Sequence, residues 1–281
     1  MIKLLTLLPF LIKLHENIER LNRKTKSYIK NADEKNIHDV RTSVRRFNSA
    51  FLSLPKKYRT ESMLLTNYKQ IANEFFKLNS QIRDYDIMIN RLSNYSQNNR
   101  IDIIVDSIRK NRELDLEKAK SIAVSLKEIG SRQIVGKMNI TEKELQKQYN
   151  KILSKLFSKI ETNFPVVINN SLRIDELHEL RKDCKKIRYM LELLPEENRN
   201  ATQLRKIFEK IQDYLGVIHD NDITLNHLQS LEPNKEIQEI INNEIEQRKL
   251  RYDEFLNFSK RRLHLARDSL LIRIKLFMNQ S

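Results

Sequence analysis

Apolar residues recur every three or four positions through almost all of this 281-residue chain, the spacing that gathers them along one face of a helix. Segments between the breaks predict helices near residues 4–30, 36–54, 62–93 and 100–129. A second set is predicted near 141–170, 174–194, 200–230 and 235–278. Pro55 and Pro195 fall where the second helix of each set must stop, because proline cannot continue the hydrogen-bond ladder. By the same rule Pro165 predicts a kink or an interruption in the fifth helix. Asn36 and Asp175 stand where N-caps are expected. The polar run Gly130–Asn139 contains two of the chain's three glycines and separates a first half, 1–135, from a second, 136–281.

The two halves repeat each other. IHDVRTSVRRFNSAFLSLP, Ile37 to Pro55, aligns without a gap on LHELRKDCKKIRYMLELLP, Leu177 to Pro195. The apolar positions coincide, and so do a histidine, an arginine three residues on, and two basic residues at seven and eight. Further along, QIRDYDIMINRL (Gln81–Leu92) aligns on VIHDNDITLNHL (Val217–Leu228) at an offset of 136, as does Arg112 on Arg248. Recurrence of apolar positions alone would mean duplicated architecture; recurrence of the polar ones as well means a duplicated site. An all-α fold follows, two four-helix bundles related by an approximate twofold axis.

Composition narrows the partners. Three glycines and five prolines in 281 residues are too few to punctuate a sheet-rich fold. Lys and Arg number 52 against 37 Asp and Glu, a net +15, which favours a polyanionic partner or an acidic surface. The excess is uneven: residues 1–140 carry 27 basic and 15 acidic side chains, a net +12, whereas 141–281 carry a net +3. The single cysteine, Cys184, excludes an intrachain disulfide and fits a reducing, cytoplasmic setting. The apolar opening, MIKLLTLLPFLIKL, is too short to span a bilayer and lacks a cleavage signal. It reads as the buried start of the first helix, with peripheral membrane contact as the alternative.

Helix geometry then defines the candidate site. With His38 at zero, Arg41, Arg45 and Asn48 fall within about 80° to one side of it. His178, Arg181, Lys185 and Arg188 do the same in the second copy. Arg46 and Lys186 point elsewhere, towards the side of Asp39 and Glu179. No carboxylate lies among the cations of either arc, and like charges four residues apart cost about 0.2–0.5 kcal/mol each. Compensation must come from a ligand or from another helix, where Asp84, Asp86, Asp220 and Asp222 are available.

The pattern H-x-x-R-x-x-x-R/K-R/K, present twice and each time followed by an (R/H)-D-x-D helix, resembles the CHAD family, the conserved-histidine α-helical domain. The resemblance spans nearly the whole chain. It implies two pseudo-symmetric four-helix bundles around one basic central cleft or pore that binds inorganic polyphosphate. The motif positions fall on His38, Arg41, Arg45 and Arg46, and on His178, Arg181, Lys185, Lys186 and Arg188. Arg83, Arg112, His219 and Arg248, which align between the halves, complete the set. Asn48 stands where the family commonly has a further arginine, which implies one phosphate contact fewer in the first copy. His219 replaces Arg83, which makes that position's basicity depend on pH.

Catalytic chemistry finds little support. HDND at His219–Asp222 has the look of a metal-binding His-Asp pair, but its partner in the repeat is RDYD, and arginine does not ligate metals. Cys184 lies on an apolar face without a base, no glycine-rich phosphate loop exists, and the Glu-x-x-His pairs of a di-iron bundle are absent. His15, His227 and His264 read as ordinary surface or core-edge residues. The expectation is a non-catalytic binder without a cofactor and without metal-ligating residues; whether a divalent metal takes part in binding is not specified by the residues. Nucleic acid or an acidic protein is the alternative partner, weakened by the absence of tryptophan and of an evident stacking platform. The residues specify no oligomeric state.

Overall fold

The computed structural model describes residues 5–95, 99–130, 139–260 and 270–279, and all regular structure among them is helical. The helices are α1 (Leu7–Lys30), α2 (Glu34–Ser53), α3 (Lys56–Glu61), α4 (Met63–Leu92), α5 (Asn99–Gly130), α6 (Glu142–Asn169), α7 (Ile174–Leu191), α8 (Arg199–Gln229), α9 (Lys235–Ser259) and α10 (Leu270–Asn279). A short 3₁₀ turn, Ser93–Tyr95, follows α4. None of the described helices is long and apolar enough to cross a membrane.

Three local expectations are corrected. Asp33, not Asn36, caps α2, its carboxylate accepting from the Asn36 amide at 2.7 Å. A charged acceptor at a helix N-terminus satisfies an orphan amide and meets the positive end of the dipole. Likewise α7 starts after Arg173, which makes no side-chain cap, and Asp175 sits inside the first turn. Third, of the kink or interruption expected at Pro165, the interruption does not occur: α6 continues through it. The missing N–H costs one ladder bond. Burial of Phe164 and Val167 on either side, and a 2.7 Å bond from the Tyr252 hydroxyl to the Val167 carbonyl, hold the segment helical. Helix α3 is an addition to the predicted elements; the proline that ends α2 also stands at the N-cap of α3.

The chain divides into two compact units, one spanning Leu5–Tyr149 and the other starting at Asn150, so the division falls within α6. The sequence boundary at 135/136 lies outside the described residues. In the first unit α1 packs on α2 and α5, and α4 packs on the same two helices, closing a ring of four. Its core contains edge-on aromatic pairs, Phe47 with Tyr68 at 5.2 Å and Tyr28 with Phe75 at 5.0 Å. A buried relay links three helices: the Tyr68 hydroxyl donates to Asn22 Oδ1 at 2.7 Å, and Asn22 Nδ2 donates to the Gly130 carbonyl at 2.9 Å.

In the second unit α8 packs between α7 and α9. Large rings bring in α6: Phe164 lies edge-on to Phe255 of α9 at 6.4 Å, and Phe157 stacks on Phe208 of α8 at 6.2 Å. Each unit thus builds its core from apolar faces spaced at three and four residues. What remains of α2 and α7 carries the polar positions of interest.

Candidate anion-binding site

On α2, Ile37, Val40, Val44 and Phe47 point into the core, which fixes the helix's rotation. His38 is thereby exposed, and Arg41, Arg45, Arg46 and Asn48 are half-buried along the seam with the neighbouring helices. The Arg45 guanidinium lies over the Phe76 ring of α4, 5.0 Å from its centre. The Nε of Arg41 is shielded from solvent. Arg83 of α4 reaches the first turn of α2 and pairs with Glu34. Burial lowers the pKa of His38, and Arg41, Arg45 and Arg83 lower it further, so all three cations act on this imidazole. Asp39 only partly offsets them, and it is itself held by Lys24 of α1 at 2.6 Å.

The second unit reproduces the plan. Leu177, Leu180, Cys184 and Ile187 are buried, and His178, Arg181, Lys185 and Arg188 are half-buried. The Nε of Arg181 is again shielded. His219 of α8 occupies the position of Arg83 and meets the His178 ring edge-on at 4.6 Å. Burial lowers the pKa of His178, assisted by Lys182, Arg181 and Lys185. The structure therefore gathers His38, Arg41, Arg45 and Arg83 into one cluster and His178, Arg181, Lys185 and His219 into another. Lys182, four residues after His178, adds to the second cluster from outside the predicted set; its i+4 spacing was the available signal of proximity.

Other candidate residues stand apart from these clusters. Arg112 is bonded through Nε to Asp86 at 2.6 Å and through a terminal nitrogen to Glu113 at 2.8 Å. Arg248 makes the matching bond to Asp222 at 2.5 Å and donates to the Ser171 carbonyl at 3.0 Å, with only 8% of its surface exposed. Both arginines serve the interior of their own unit. Lys186 is exposed and pairs at 3.2 Å with Asp183, a buried carboxylate that Lys159 also approaches at 3.6 Å. Arg46 lies beside the first cluster on α2.

These contacts correct several expectations. Asp86 and Asp222 compensate the arginines of α5 and α9, so these two do not supply the ion pairs proposed for the α2 and α7 rows. The α7 arc does meet a carboxylate: Glu192, just past the segment read as the arc, lies 3.7 Å from Arg188. Glu209 of α8 holds the same guanidinium at 3.2 Å, and the Tyr189 ring underlies it at 4.8 Å. Arg188 is thus a cation with carboxylates on two sides, and Asn48, in its place in the first unit, bonds Asn73 at 2.8 Å. His219 is no switch near neutrality. Burial, with Arg181, His178 and Lys185 nearby, pushes its pKa down to about 3, so it stays neutral through the physiological range.

Cys184 is fully buried, and burial raises its pKa, which leaves a thiol rather than a thiolate. Among the described residues no group of three or more His, Cys, Asp or Glu is arranged to hold a metal ion. His15 is exposed and His227 half-buried, and His264 lies outside the described residues.

A family model described as the CHAD domain matches residues 13–229. The crystal structure of the CHAD domain from the plant Ricinus communis is similar in fold, with a TM-score of 0.55 over 96% of this chain and 90% of that one. Sequence identity to it is 15%, so that likeness concerns the fold alone. No curated protein matches the chain.

Proposed function

The chain belongs to the CHAD domain family, and from that premise we propose that it binds inorganic polyphosphate without cleaving it. The binding groups in this reading are His38, Arg41 and Arg45 of the first unit and His178, Arg181, Lys185 and His219 of the second; Arg83, already paired with Glu34, borders the first group. One observation carries it: a grouping of cations about an imidazole is built twice, from aligned positions, on independent cores. Guanidinium forks match phosphate oxygens in pairs, and a neutral imidazole adds a donor that needs no counter-ion. Half-burial limits rearrangement of the side chains on binding, which reduces the ordering cost. The family's basic central cleft, and its twofold relation between the bundles, enter here as part of the proposal.

Chemically, cations and neutral imidazoles hold phosphate. Cleaving it would need a positioned nucleophile or a metal to activate water, and the proposed site has no role for either. The cytoplasm, on polyphosphate-rich granules, is the proposed location, testable by imaging a tagged protein with and without cellular polyphosphate.

The test compares two variants with equal charge change. Arg41→Gln with Arg181→Gln should weaken polyphosphate binding by at least about tenfold, taking roughly 1.5–3 kcal/mol for a hydrogen bond to a charged group. Lys110→Gln with Lys206→Gln, two exposed lysines, should leave it within about twofold. The salt slope of the first variant should fall by roughly 0.7 for each phosphate it no longer neutralises. Equal binding by both variants, with helicity intact, would leave only generic basicity. Single-stranded RNA that outcompetes polyphosphate at equal phosphate concentration would transfer the site to nucleic acid. Release of orthophosphate that survives repurification and depends on His38 or His178 would make the protein an enzyme.

A further inference from the structure

The outward face of α1 lies apart from both histidine clusters and carries charge of its own. Phe10, Leu14, Leu21 and Tyr28 bury one side of this helix. On the opposite side, within an arc of about 120°, Leu8, Ile12, Arg20, Arg23, Lys26 and Lys30 are all exposed. Leu8 and Ile12 expose 69% and 51% of their surface. Between Arg20 and Lys30 the sequence has five cations and no carboxylate.

Lys24 is committed to Asp39. Among the described residues the other four, Arg20, Arg23, Lys26 and Lys30, make no ion pair. Some exposed cations elsewhere pair one turn away on their own helix, Arg109 with Asp106, Lys120 with Glu117, Lys182 with Glu179 and Arg251 with Glu254. Lys110, Lys147, Lys206 and Lys249 are scattered singly and, among the described residues, make no ion pair either. The acids of the α1 face lie upstream, Glu16, which Lys13 holds at 3.6 Å, and Glu19. A row of like charges roughly 15 Å long faces solvent, and beyond Glu16 and Glu19 the same arc carries the two aliphatic side chains.

We propose that this face of α1 docks peripherally on an anionic lipid bilayer. Leu8 and Ile12 would enter the boundary between headgroups and acyl chains, while Arg20, Arg23, Lys26 and Lys30 meet the lipid phosphates and carboxylates. Stable attachment needs two weak signals together, buried apolar surface and a basic cluster, and this face has both. A nucleic-acid backbone would satisfy the cations but would leave Leu8 and Ile12 in water, and the stripe offers no aromatic ring on which bases could stack.

Co-sedimentation of the full chain with phosphatidylcholine vesicles, with and without phosphatidylserine, tests the assignment independently of polyphosphate binding. The protein should pellet with the anionic vesicles alone. Reversing Arg20, Arg23, Lys26 and Lys30 to Glu should cut partitioning by more than about tenfold, and Leu8→Ser with Ile12→Ser should cut it several-fold. All these side chains are exposed, so circular dichroism and polyphosphate affinity should match the parent chain. No pelleting with anionic vesicles would overturn the proposal, and so would unchanged pelleting of either variant. Loss of RNA binding by the reversal variant, with vesicle binding kept, would reassign the face to nucleic acid.

Discussion

Asn48 reaches Asn73 across α2 and α4 in the first unit; the same two positions in the second are Arg188 and Glu209, joined across α7 and α8. One contact is an amide pair and the other an ion pair, and each is neutral. Ser43, whose hydroxyl bonds back to the Asp39 carbonyl, corresponds to Asp183, the buried carboxylate beside Lys159 and Lys186. At the first place the second unit has a cation and an anion together; at the second it has an added carboxylate beside Lys186, whose counterpart Arg46 is already basic. By contrast, Asp86 with Arg112 and Asp222 with Arg248 are the same pair in both units. The comparison teaches that a basic residue counts towards a polyanion site only after its local carboxylates are subtracted. The larger net charge of residues 1–140 reflects fewer acids much more than additional arginines or lysines.

The largest test of this comparison removes the shared pair. Arg248→Ala strands Asp222 in a buried setting and should cost about 3–5 kcal/mol of stability, read by urea unfolding. Arg112→Ala should cost clearly less, because that pair is more open to solvent and Arg112 also faces Glu113. Equal losses would mean the two pairs are energetically alike despite their different burial.

A smaller effect sharpens the idea of subtraction. Glu209→Asn should release part of Arg188 and raise polyphosphate affinity a few-fold, with a salt slope steeper by up to about 0.7. Arg188→Asn with Glu209→Asn copies the first unit and should return affinity to near the parent value. If the double variant instead binds several-fold more weakly, Arg188 is a phosphate ligand in spite of its acids.

Smaller again is a pH effect, largest in the second unit. The unfolded chain protonates His219 near its ordinary value of 6.5, whereas the folded chain resists until about pH 3. The unfolded state thus binds more protons between these values, and stability declines as pH falls through that window, being fully present above it. The melting temperature should drop between pH 7.5 and pH 5, and His219→Gln should remove part of that drop.

Much of this molecule was legible in its sequence. Seven long helices emerged from apolar spacing, and the two clusters from the repeated motif, because a helix's rotation is set by its buried residues; the eighth, expected over 235–278, is described as α9 and α10, with 261–269 outside the described residues. The helix starts were misread at Asn36 and Asp175, where capping is decided by one or two bonds that several nearby residues could supply. Helix α3 is shorter than two turns and leaves almost no periodicity to detect. Glu192 and Glu209 escaped because neutralisation of Arg188 is partly a contact between helices; the aligned pair Asn48 and Asn73 was the available clue. His219 was read as titrating because burial of a polar ring on α8 is invisible to spacing alone.

The two described glycines set opposite limits on how this chain can be changed. A methyl group added to Gly130 would come within 2.2 Å of Asn22 Oδ1, the atom that receives the Tyr68 hydroxyl, so any larger residue there evicts the relay. Gly216, inside α8, has nothing within 4 Å of the same added atom, and its aligned position in the first unit already carries Ser80. Exchanging Gly216 for alanine should therefore stabilise the protein by about 0.5–1 kcal/mol, through a less flexible unfolded chain and a better helix former. A directed-evolution library aimed at heat tolerance should enrich substitutions at Gly216 and retain glycine at Gly130.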